Sequence, residues 1–161
     1  MPRRTNPAPS EPALSPASVD LLRAVALAFR EGCEAIHLQN RMPSNMTNFP
    51  RGCCGNASEI LGDYLISRGL ASGKLVRADK GNKSHAWIEV GNLVIDVTGD
   101  QFTGRPAVYV DVADAWFKKW SVDGRREAVY DFSWRLLGEN DLREELHRGL
   151  DERFQLRELK A

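Results

Sequence analysis

The sequence predicts an α+β fold in which helices flank a small antiparallel sheet. Two apolar stripes at helical spacing come first, and the second of them ends before Gly69. Residues 85–90 and 93–98 then form two alternating runs separated by Gly91-Asn92, a strong two-residue hairpin signal. Residues 141–159 follow with a charged, amphipathic helical pattern. Helical patterns therefore lie on both sides of a hairpin in the middle of the chain.

The composition favours one soluble domain. A chain of 161 residues is long enough for a single domain with a sizeable core. Its 22 basic and 22 acidic residues give a formal net charge of zero, so nothing indicates binding to nucleic acid or to a membrane surface. The sequence has no long apolar span and no signal-like apolar segment near its start. We therefore expect a cytoplasmic protein, or one exported without an N-terminal signal.

Residues 1–17 hold five of the eight prolines, with Ser, Asn and Ala between them. Such a composition cannot bury enough apolar surface to order itself, so we predict a disordered tail and a single domain over residues 18–161. Ser15-Pro16 predicts a helix start, because proline fits the first helical position. This helix is expected to end near Gln39-Asn40. Its apolar stripe consists of Leu22, Val25, Phe29, Cys33 and Ile36.

A second helix is predicted to begin at Cys54, after a loop over residues 41–52. Arg68-Gly69-Leu70 has the pattern of a glycine C-cap with a following apolar residue. Gly62 lies inside this helix at a cost of about 1 kcal/mol relative to alanine, and a close approach by another backbone segment would explain its presence. The apolar stripe consists of Ala57, Ile60, Leu61, Tyr64 and Leu65.

Shorter elements complete the prediction. Residues 75–78 form a short strand, and residues 79–84 form a turn rich in Lys, Gly and Asn. Residues 107–112 and 129–132 are two further strand candidates, and residues 114–120 are a short helix. The final helix is expected to pack on the domain or on a second copy of the chain, which leaves room for a homodimer. Its apolar stripe consists of Leu142, Leu146, Leu150 and Phe154.

The Gly91-Asn92 loop determines which side chains share a face of the hairpin. One face carries the apolar pairs Val90 with Leu93, Ile88 with Ile95 and Ala86 with Val97. The other face carries His85, Trp87, Glu89, Val94, Asp96 and Thr98. His85 and Asp96 are diagonal neighbours there, roughly 7 Å apart at the backbone, and a hydrogen bond can join their side chains. Because Trp87 and Val94 need cover, we expect the helix that begins at Cys54 to pack on this second face.

A thiol, an imidazole and a carboxylate follow one another as Cys54, His85 and Asp96, the set that activates a nucleophile for acyl transfer. The backbone N–H groups at a helix N-terminus lower the pKa of a thiol placed there, and so does a neighbouring imidazolium. The same N–H groups can bind the oxyanion of a tetrahedral intermediate. Cys53 offers a second thiol, whereas Cys33 lies on an apolar stripe and is expected in the core. No CxxC or HExxH spacing indicates a zinc site.

Three segments carry a resemblance to a known family. Residues 52–57, Gly-Cys-Cys-Gly-Asn-Ala, resemble the Gly-x-Cys-x-x-Ala nucleophile motif of transglutaminase-like proteins in the papain-like cysteine-protease superfamily. Residues 85–90, His-Ala-Trp-Ile-Glu-Val, resemble the His-Ala-Trp strand of that family, and residues 95–98, Ile-Asp-Val-Thr, resemble the end of its next strand. The segments occur in the family's order within residues 50–102, about a third of the chain.

The resemblance implies a helix packed on an antiparallel sheet, no cofactor, and thiol chemistry on amide bonds of a protein or peptide substrate. That chemistry is proteolysis, deamidation or transamidation. Matched by motif, Cys54 falls on the nucleophile, His85 on the base and Asp96 on the residue that orients the base. Cys53 stays open as an alternative nucleophile and Asp100 as an alternative orienter. The spacings of 31 residues from Cys54 to His85 and 11 from His85 to Asp96 leave no substrate-binding insertions.

Other side chains are candidates for supporting roles. Trp87 is expected to form a wall of the site. Asn48 is the candidate oxyanion donor, because it precedes Cys54 by six residues and papain-like enzymes have a glutamine at that offset. The other amide residues considered for that role are Gln39, Asn40, Asn56 and Gln101. The two remaining histidines lie on charged helical segments and are expected at the surface, namely His37 and His147.

Two other functions are compatible with these residues. Arylamine N-acetyltransferases use the same triad, and residues 51–54 with residues 95–97 distantly resemble that family, although the chain is short for its additional domains. A non-enzymatic binding module could keep the fold without the reaction. The presence of all three reactive residue types favours an enzyme.

Overall fold

The computed structural model describes residues 17–131 and 137–159. They form four α-helices and a five-stranded antiparallel sheet, which confirms the predicted α+β class. The helices are α1 (Val19–Leu38), α2 (Cys54–Ser67), α3 (Ala115–Lys118) and α4 (Leu137–Phe154). The strands are β1 (Lys74–Lys80), β2 (Lys83–Val90), β3 (Leu93–Asp96), β4 (Tyr109–Val112) and β5 (Ser121–Glu127). Apart from Ala17, the tail predicted over residues 1–17 lies outside the described residues.

Helix α1 begins later than the Ser15-Pro16 signal predicted. Ser18 is its N-cap, and the Oγ atom of Ser18 accepts a hydrogen bond from the backbone N–H of Leu21 at 3.2 Å. A serine at this position pairs one of the N–H groups that the first turn leaves free, which sets the helix start. The predicted stripe is buried, and it comprises Leu22, Val25, Phe29, Cys33 and Ile36.

Helix α2 begins at the predicted residue and ends in the predicted glycine cap. Gly69 adopts a left-handed φ of 70°, and the N–H of Leu70 donates to the carbonyl of Leu65 at 2.8 Å. Gly62 lies against Ala128: a Cβ atom on Gly62 would be 2.2 Å from the Ala128 Cβ atom and 3.3 Å from its carbonyl oxygen. The predicted close approach by another segment therefore explains this glycine.

The strand order is β4-β3-β2-β1-β5, and each neighbouring pair is antiparallel. The β2–β3 register pairs Val90 with Leu93 and Ile88 with Ile95, which confirms the hairpin at Gly91-Asn92. This register places alternate side chains of β2 and β3 on the faces that the sequence predicted.

The second strand of the hairpin is shorter than predicted. Strand β3 ends at Asp96 rather than at Thr98, because the chain enters a short 3₁₀ turn over Gly99–Gln101. The β2–β3 ladder accordingly stops before the predicted pair of Ala86 with Val97.

The strand predicted over residues 129–132 is wrong. Residues 129–131 have no strand structure, and the edge strand is β5 instead; residue 132 lies outside the described residues. All seven residues of β5 are exposed, so no alternation of apolar and polar residues marked this strand in the sequence. The turn predicted over residues 79–84 is tighter than expected, because β1 extends to Lys80 and β2 begins at Lys83.

Different parts of the chain cover the two faces of the sheet. Helices α1 and α2 pack on the face that carries Ile88 and Ile95, and α4 packs on α1. The opposite face carries Trp87 and Val94, and aromatic residues from the segment after β3 cover it. The prediction that α2 covers the face with His85 is therefore wrong, because both faces carry large apolar side chains and the pattern did not distinguish them. The covering residues are Phe102, Tyr109, Trp116, Phe117 and Trp120.

Helix α4 packs on α1 within the same chain. A Cβ atom on Gly32 of α1 would lie 3.0 Å from the Cδ2 atom of Leu146. Next to this contact, Arg41 donates two hydrogen bonds to Glu145, both at 2.8 Å. The predicted stripe thus has a partner in its own domain, with Leu142, Leu146 and Leu150 buried. A homodimer through α4 stays a prediction.

Helix α4 lies closer to the N-terminus than the predicted range of residues 141–159. It starts at Leu137 and ends at Phe154, because Gln155 adopts a left-handed φ of 54°. His147 is buried instead of lying at the surface, and its Nε2 atom is 3.0 Å from the carbonyl oxygen of Ile60. Burial lowers the pKa of His147 to about 4, so the ring is neutral at pH 7.

Candidate active site

The three thiols have different surroundings. Cys33 and Cys53 are buried, and burial raises the pKa of both, that of Cys53 to about 11. The Sγ atom of Cys53 lies 3.4 Å from the carbonyl oxygen of Arg51, to which its S–H donates. Cys54 is half-buried and is the first residue of α2. Accessibility and acidity therefore favour Cys54 over Cys53 as the reactive thiol.

The pKa of the Cys54 thiol lies below its usual value. Burial alone raises this pKa, but the hydrogen bond and the positive charge of His85 lower it, together with the backbone N–H groups of Ala86 and Gly55. Each of these groups interacts better with a thiolate than with a thiol. The start of α2 and the middle of β2 therefore stabilise the charged form of the sulfur.

His85 and Asp96 make the contact that the hairpin register predicted. The Nε2 atom of His85 lies 2.7 Å from Oδ2 of Asp96, and both side chains are buried. The other carboxylate oxygen accepts the backbone N–H of Thr98 at 3.0 Å, which orients the acid. Burial lowers the pKa of His85, but hydrogen bonds and charges from Asp96 and Cys54 raise it to about 9. Each group therefore stabilises the charged form of the other, an imidazolium beside a thiolate.

Gln101 contacts the second nitrogen of the His85 ring. Its Nε2 atom lies 3.1 Å from Nδ1 of His85 and donates to Oγ1 of Thr98 at 3.3 Å. Because Nε2 of His85 is bound to Asp96, Nδ1 is the nitrogen that can exchange a proton with Cys54. Gln101, one of the amide residues considered as an oxyanion donor, thus lies against the base.

Aromatic rings surround the His85 imidazole. Trp87, the predicted wall, lies on the same face of β2 with its ring centroid 5.6 Å from that of His85. Sequence reasoning missed three further rings with centroids 4.9 to 5.9 Å from the imidazole, those of Phe102, Trp116 and Trp120. Trp116 and Trp120 are four residues apart at helical spacing, and that spacing was the signal that could have revealed them. These rings keep water from part of the imidazole, which strengthens its bond to Asp96.

The predicted oxyanion donor does not lie at the thiol. Asn48 is exposed and lines a hollow with His37 and Arg51, whereas Cys54 and His85 line a different hollow. The carbonyl of Asn48 accepts the N–H of Arg51 at 2.9 Å, so this residue belongs to a turn whose side chain faces outward. These contacts fit a loop residue and not a donor at the thiol.

Three other amide residues considered for that role have contacts elsewhere. Asn56 donates to Glu139 at 3.3 Å. Gln39 accepts a hydrogen bond from Arg41 at 2.7 Å. Asn40 follows α1 with a left-handed φ of 54°. The donors that reach the sulfur are therefore backbone N–H groups rather than these side chains.

Asp100, the alternative orienter, is bound to another partner. Two N–H groups of Arg30 donate to its carboxylate oxygens at 2.7 Å each. Arg30 is itself buried in α1 and also donates to the carbonyl of Val97 at 2.9 Å. Asp100 therefore anchors the segment after β3 to α1, while Asp96 faces the imidazole.

Two hollows open beside the imidazole, and Ser84 lines both. The smaller has a volume of about 240 Å³ and contains Cys54, His85 and charged residues of β1 and β5. The larger, of about 550 Å³, has an aromatic wall and a basic rim. Its residues include Lys80, Lys83, Gln101, Phe102, Trp116 and Trp120.

Comparison with protein-family models, curated proteins and solved structures gives no match for this chain. Within residues 17–131 and 137–159, no set of three His, Cys, Asp or Glu side chains is placed to hold a metal ion. No helix in that part of the chain has the length and apolar character needed to cross a bilayer. The function is therefore inferred from the geometry and chemistry of the site itself.

Proposed function

We propose that this protein is a thiol-dependent hydrolase or acyltransferase that acts on peptide or side-chain amides. The observation that carries the proposal is the chain of contacts from Cys54 through His85 to Asp96, with 2.7 Å between the imidazole and the carboxylate. The acidified thiol is the nucleophile, the imidazole transfers protons, and the carboxylate orients the imidazole.

The fold supports a transglutaminase-like, papain-like assignment for this domain. Helix α2 packs on an antiparallel sheet with the thiol at its first residue, and the imidazole lies on β2. The next strand, β3, supplies the acid at its last residue. This arrangement agrees with the family order of nucleophile, base and orienter.

The reaction proceeds in two halves. The Cys54 sulfur bonds to the carbonyl carbon, and the C=O electron pair moves to oxygen. As the sulfur loses its negative charge, the N–H groups of Gly55 and Ala86 that contact it become available to the oxyanion. His85 then gives its Nδ1 proton to the amide nitrogen, the C–N bond breaks, and the amine leaves. Water or a second amine next gives a proton to Nδ1 and attacks the thioester, which releases the acyl group and restores the thiolate.

Detection of the thioester tests the proposal directly. The protein is incubated with a library of glutamine-containing peptides, quenched in acid and examined by intact mass spectrometry. We expect an adduct on Cys54 with the mass of a peptide minus the released amine. Cys54→Ala abolishes the adduct, whereas Cys53→Ala, the matched control, retains it. An adduct that survives Cys54→Ala and disappears in Cys53→Ala would show that the nucleophile is assigned one residue too late.

The same experiment separates the alternative functions. Incubation with acetyl-coenzyme A and no peptide would yield an acetyl adduct on Cys54 for an arylamine N-acetyltransferase. A binding module would yield no adduct with any acyl donor. We expect adducts from amide donors and none from acetyl-coenzyme A.

We also propose a cytoplasmic location and a protein or peptide substrate. All three cysteines are free thiols, and the reaction requires Cys54 in its reduced form. A reducing compartment maintains that form. Fractionation of cells that produce the protein checks the location.

A further inference from the structure

The smaller hollow combines the thiol with charges of both signs. Arg77 and Asp79 from β1 and Asp123 from β5 line it, together with Cys54 and His85. Its volume of about 240 Å³ is below the ~300–1,000 Å³ of pockets for drug-sized ligands. The hollow therefore suits a small, charged chemical unit next to the sulfur.

The guanidinium of Arg77 lies over the first turn of α2. Its Nη2 atom is 4.0 Å from the position of a Cβ atom on Gly55, the residue after the candidate nucleophile. No ion pair and no side-chain hydrogen bond in the described part of the chain involves Arg77. By contrast Arg125, one strand away on β5, donates to Glu89 at 2.9 Å. Arg77 therefore presents free donors in the hollow that contains the thiol, in the planar geometry that fits a carboxylate.

The two carboxylates of the hollow are also unpaired within the described ranges. Asp79 and Asp123 make no ion pair there, although Arg77 lines the same hollow. Arg77 and Asp79 are two residues apart on β1, so both project from one face of the strand. The β1–β5 ladder passes from the pair of Arg77 with Gly124 to the pair of Ala78 with Val122, which leaves Asp123 without a partner on β1. Such bulges redirect side chains and are common next to active sites.

We propose that this hollow binds the ammonium and carboxylate groups of one amino-acid unit whose side-chain amide reacts with Cys54. Arg77 holds the carboxylate, and Asp79 with Asp123 holds the ammonium group. A hollow with one unpaired cationic side chain and two unpaired anionic ones matches a zwitterionic ligand better than a ligand that is only positive or only negative. The inference rests on the proposed function and changes its substrate from a peptide to a free amino acid that carries a side-chain amide, so that L-glutamine takes the place of the peptides in the thioester experiment.

Charged thiol reagents test the electrostatic part of this assignment. Cys54 is labelled with three methanethiosulfonates of one chemistry: neutral methyl, anionic sulfonatoethyl and cationic trimethylammonioethyl. The rates of the charged reagents are divided by the neutral rate, which cancels changes in thiolate reactivity. We expect Arg77→Gln to lower the anionic ratio about tenfold, and Asp79→Asn with Asp123→Asn to lower the cationic ratio similarly.

A matched control and a competition experiment complete the test. Arg125→Gln removes the same charge from the paired arginine on β5 and leaves both ratios unchanged. L-glutamine should protect Cys54 from the neutral reagent, and its α-N-acetyl and α-methyl ester forms should protect at least about fivefold less well. The assignment is overturned if either ratio is insensitive to its variant, if L-glutamine gives no protection, or if the blocked forms protect equally.

The measurements distinguish a failure of this assignment from a failure of the proposed function. The pH dependence of the neutral rate reports the Cys54–His85 pair, whereas the rate ratios report only the charges of the hollow. A thiol with ordinary pH dependence and altered ratios contradicts the proposed function alone. An acidified thiol with unaltered ratios contradicts the zwitterion site alone.

Discussion

The Nε2 atom of His85 lies 2.7 Å from the Oδ2 atom of Asp96, although the two residues are not cross-strand partners. The β2–β3 ladder ends at the pair of Ile88 with Ile95. Beyond that pair the imidazole and the carboxylate join the two strands through their side chains. The N–H of Thr98 holds the second carboxylate oxygen, so the acid has one orientation. This geometry makes the charge state of the thiol depend on a residue of the neighbouring strand.

The rate at which iodoacetamide alkylates Cys54 should depend on pH in two steps. The pKa of Cys54 lies below its usual value, and the pKa of His85 is about 9. Below the first pKa the sulfur carries its proton; between the two values the thiolate and imidazolium coexist; above the second the imidazolium loses its proton. We expect a plateau that begins below the ordinary thiol value and extends to about pH 9. A single step near the ordinary thiol value of about 8.5 would contradict the ion pair.

Asp96→Asn should make Cys54 less reactive without unfolding the domain. Loss of the carboxylate charge lowers the pKa of His85, and the weaker imidazolium then raises the pKa of Cys54. At pH 6 the thiolate fraction, and with it the alkylation rate, should fall about tenfold or more.

Asp100→Asn is the matched control for that variant. It removes the same charge four residues later, from a carboxylate that binds Arg30 rather than His85. We expect an unchanged alkylation rate and a loss of about 1–2 kcal/mol in the free energy of unfolding. Equal loss of reactivity in both variants would show that Asp96 acts only through its negative charge at a distance and not through its contact with His85.

The sequence predicted the parts of the fold that local patterns specify. Gly91-Asn92 between two alternating runs determined the hairpin register and placed His85 and Asp96 on one face. The glycine cap after α2 and the close contact at Gly62 also followed from residue type. The hairpin loop and the cap depend on left-handed backbone conformations that glycine adopts readily, whereas the contact at Gly62 depends on the absence of a Cβ atom.

Features that depend on tertiary packing could not be predicted in the same way. Strand β5 is exposed along its length and forms by backbone pairing, so its side chains carried no signal. Asn48 has the expected offset from Cys54, but a turn directs its side chain away from the thiol. The contact of Gln101 with His85 depends on the 3₁₀ turn after β3, and the alternating pattern, which predicted a strand as far as Thr98, did not indicate where that turn places the Gln101 side chain.

Substitution of Gly62 by alanine should destabilise the protein although alanine is the better helix former. The added Cβ atom would meet the Cβ atom of Ala128 at 2.2 Å, so α2 and the segment after β5 must separate. Overpacking of this kind lowers the free energy of unfolding by about 1–3 kcal/mol. Urea denaturation followed by circular dichroism measures the change.

Gly149→Ala in α4 is the control for that substitution. A Cβ atom on Gly149 has no heavy atom within 4 Å among those considered, so only helix propensity changes. We expect an increase of up to about 1 kcal/mol in the free energy of unfolding. Opposite signs for the two variants support the contact with Ala128, whereas stabilisation in both would contradict it.

The protein should lose stability on acidification because of His147. In the folded state the pKa of His147 is about 4, below the ordinary value of 6.5, because the ring is buried. Above pH 6.5 the ring is neutral in both states and has no effect on the pH dependence. As the pH falls, the unfolded chain binds a proton first, so the unfolded state is stabilised. At pH 5 this difference amounts to about 2 kcal/mol.

His147→Gln isolates that contribution, because glutamine retains a donor for the carbonyl of Ile60 but does not titrate. Urea denaturation of both proteins at pH 7 and pH 5 gives the loss of stability for each, and the carboxylates common to both cancel in the comparison. The wild type should lose about 2 kcal/mol more than the variant. Equal losses would mean that the pKa of His147 is the same in the folded and the unfolded chain, which would contradict the effect assigned to burial of the ring.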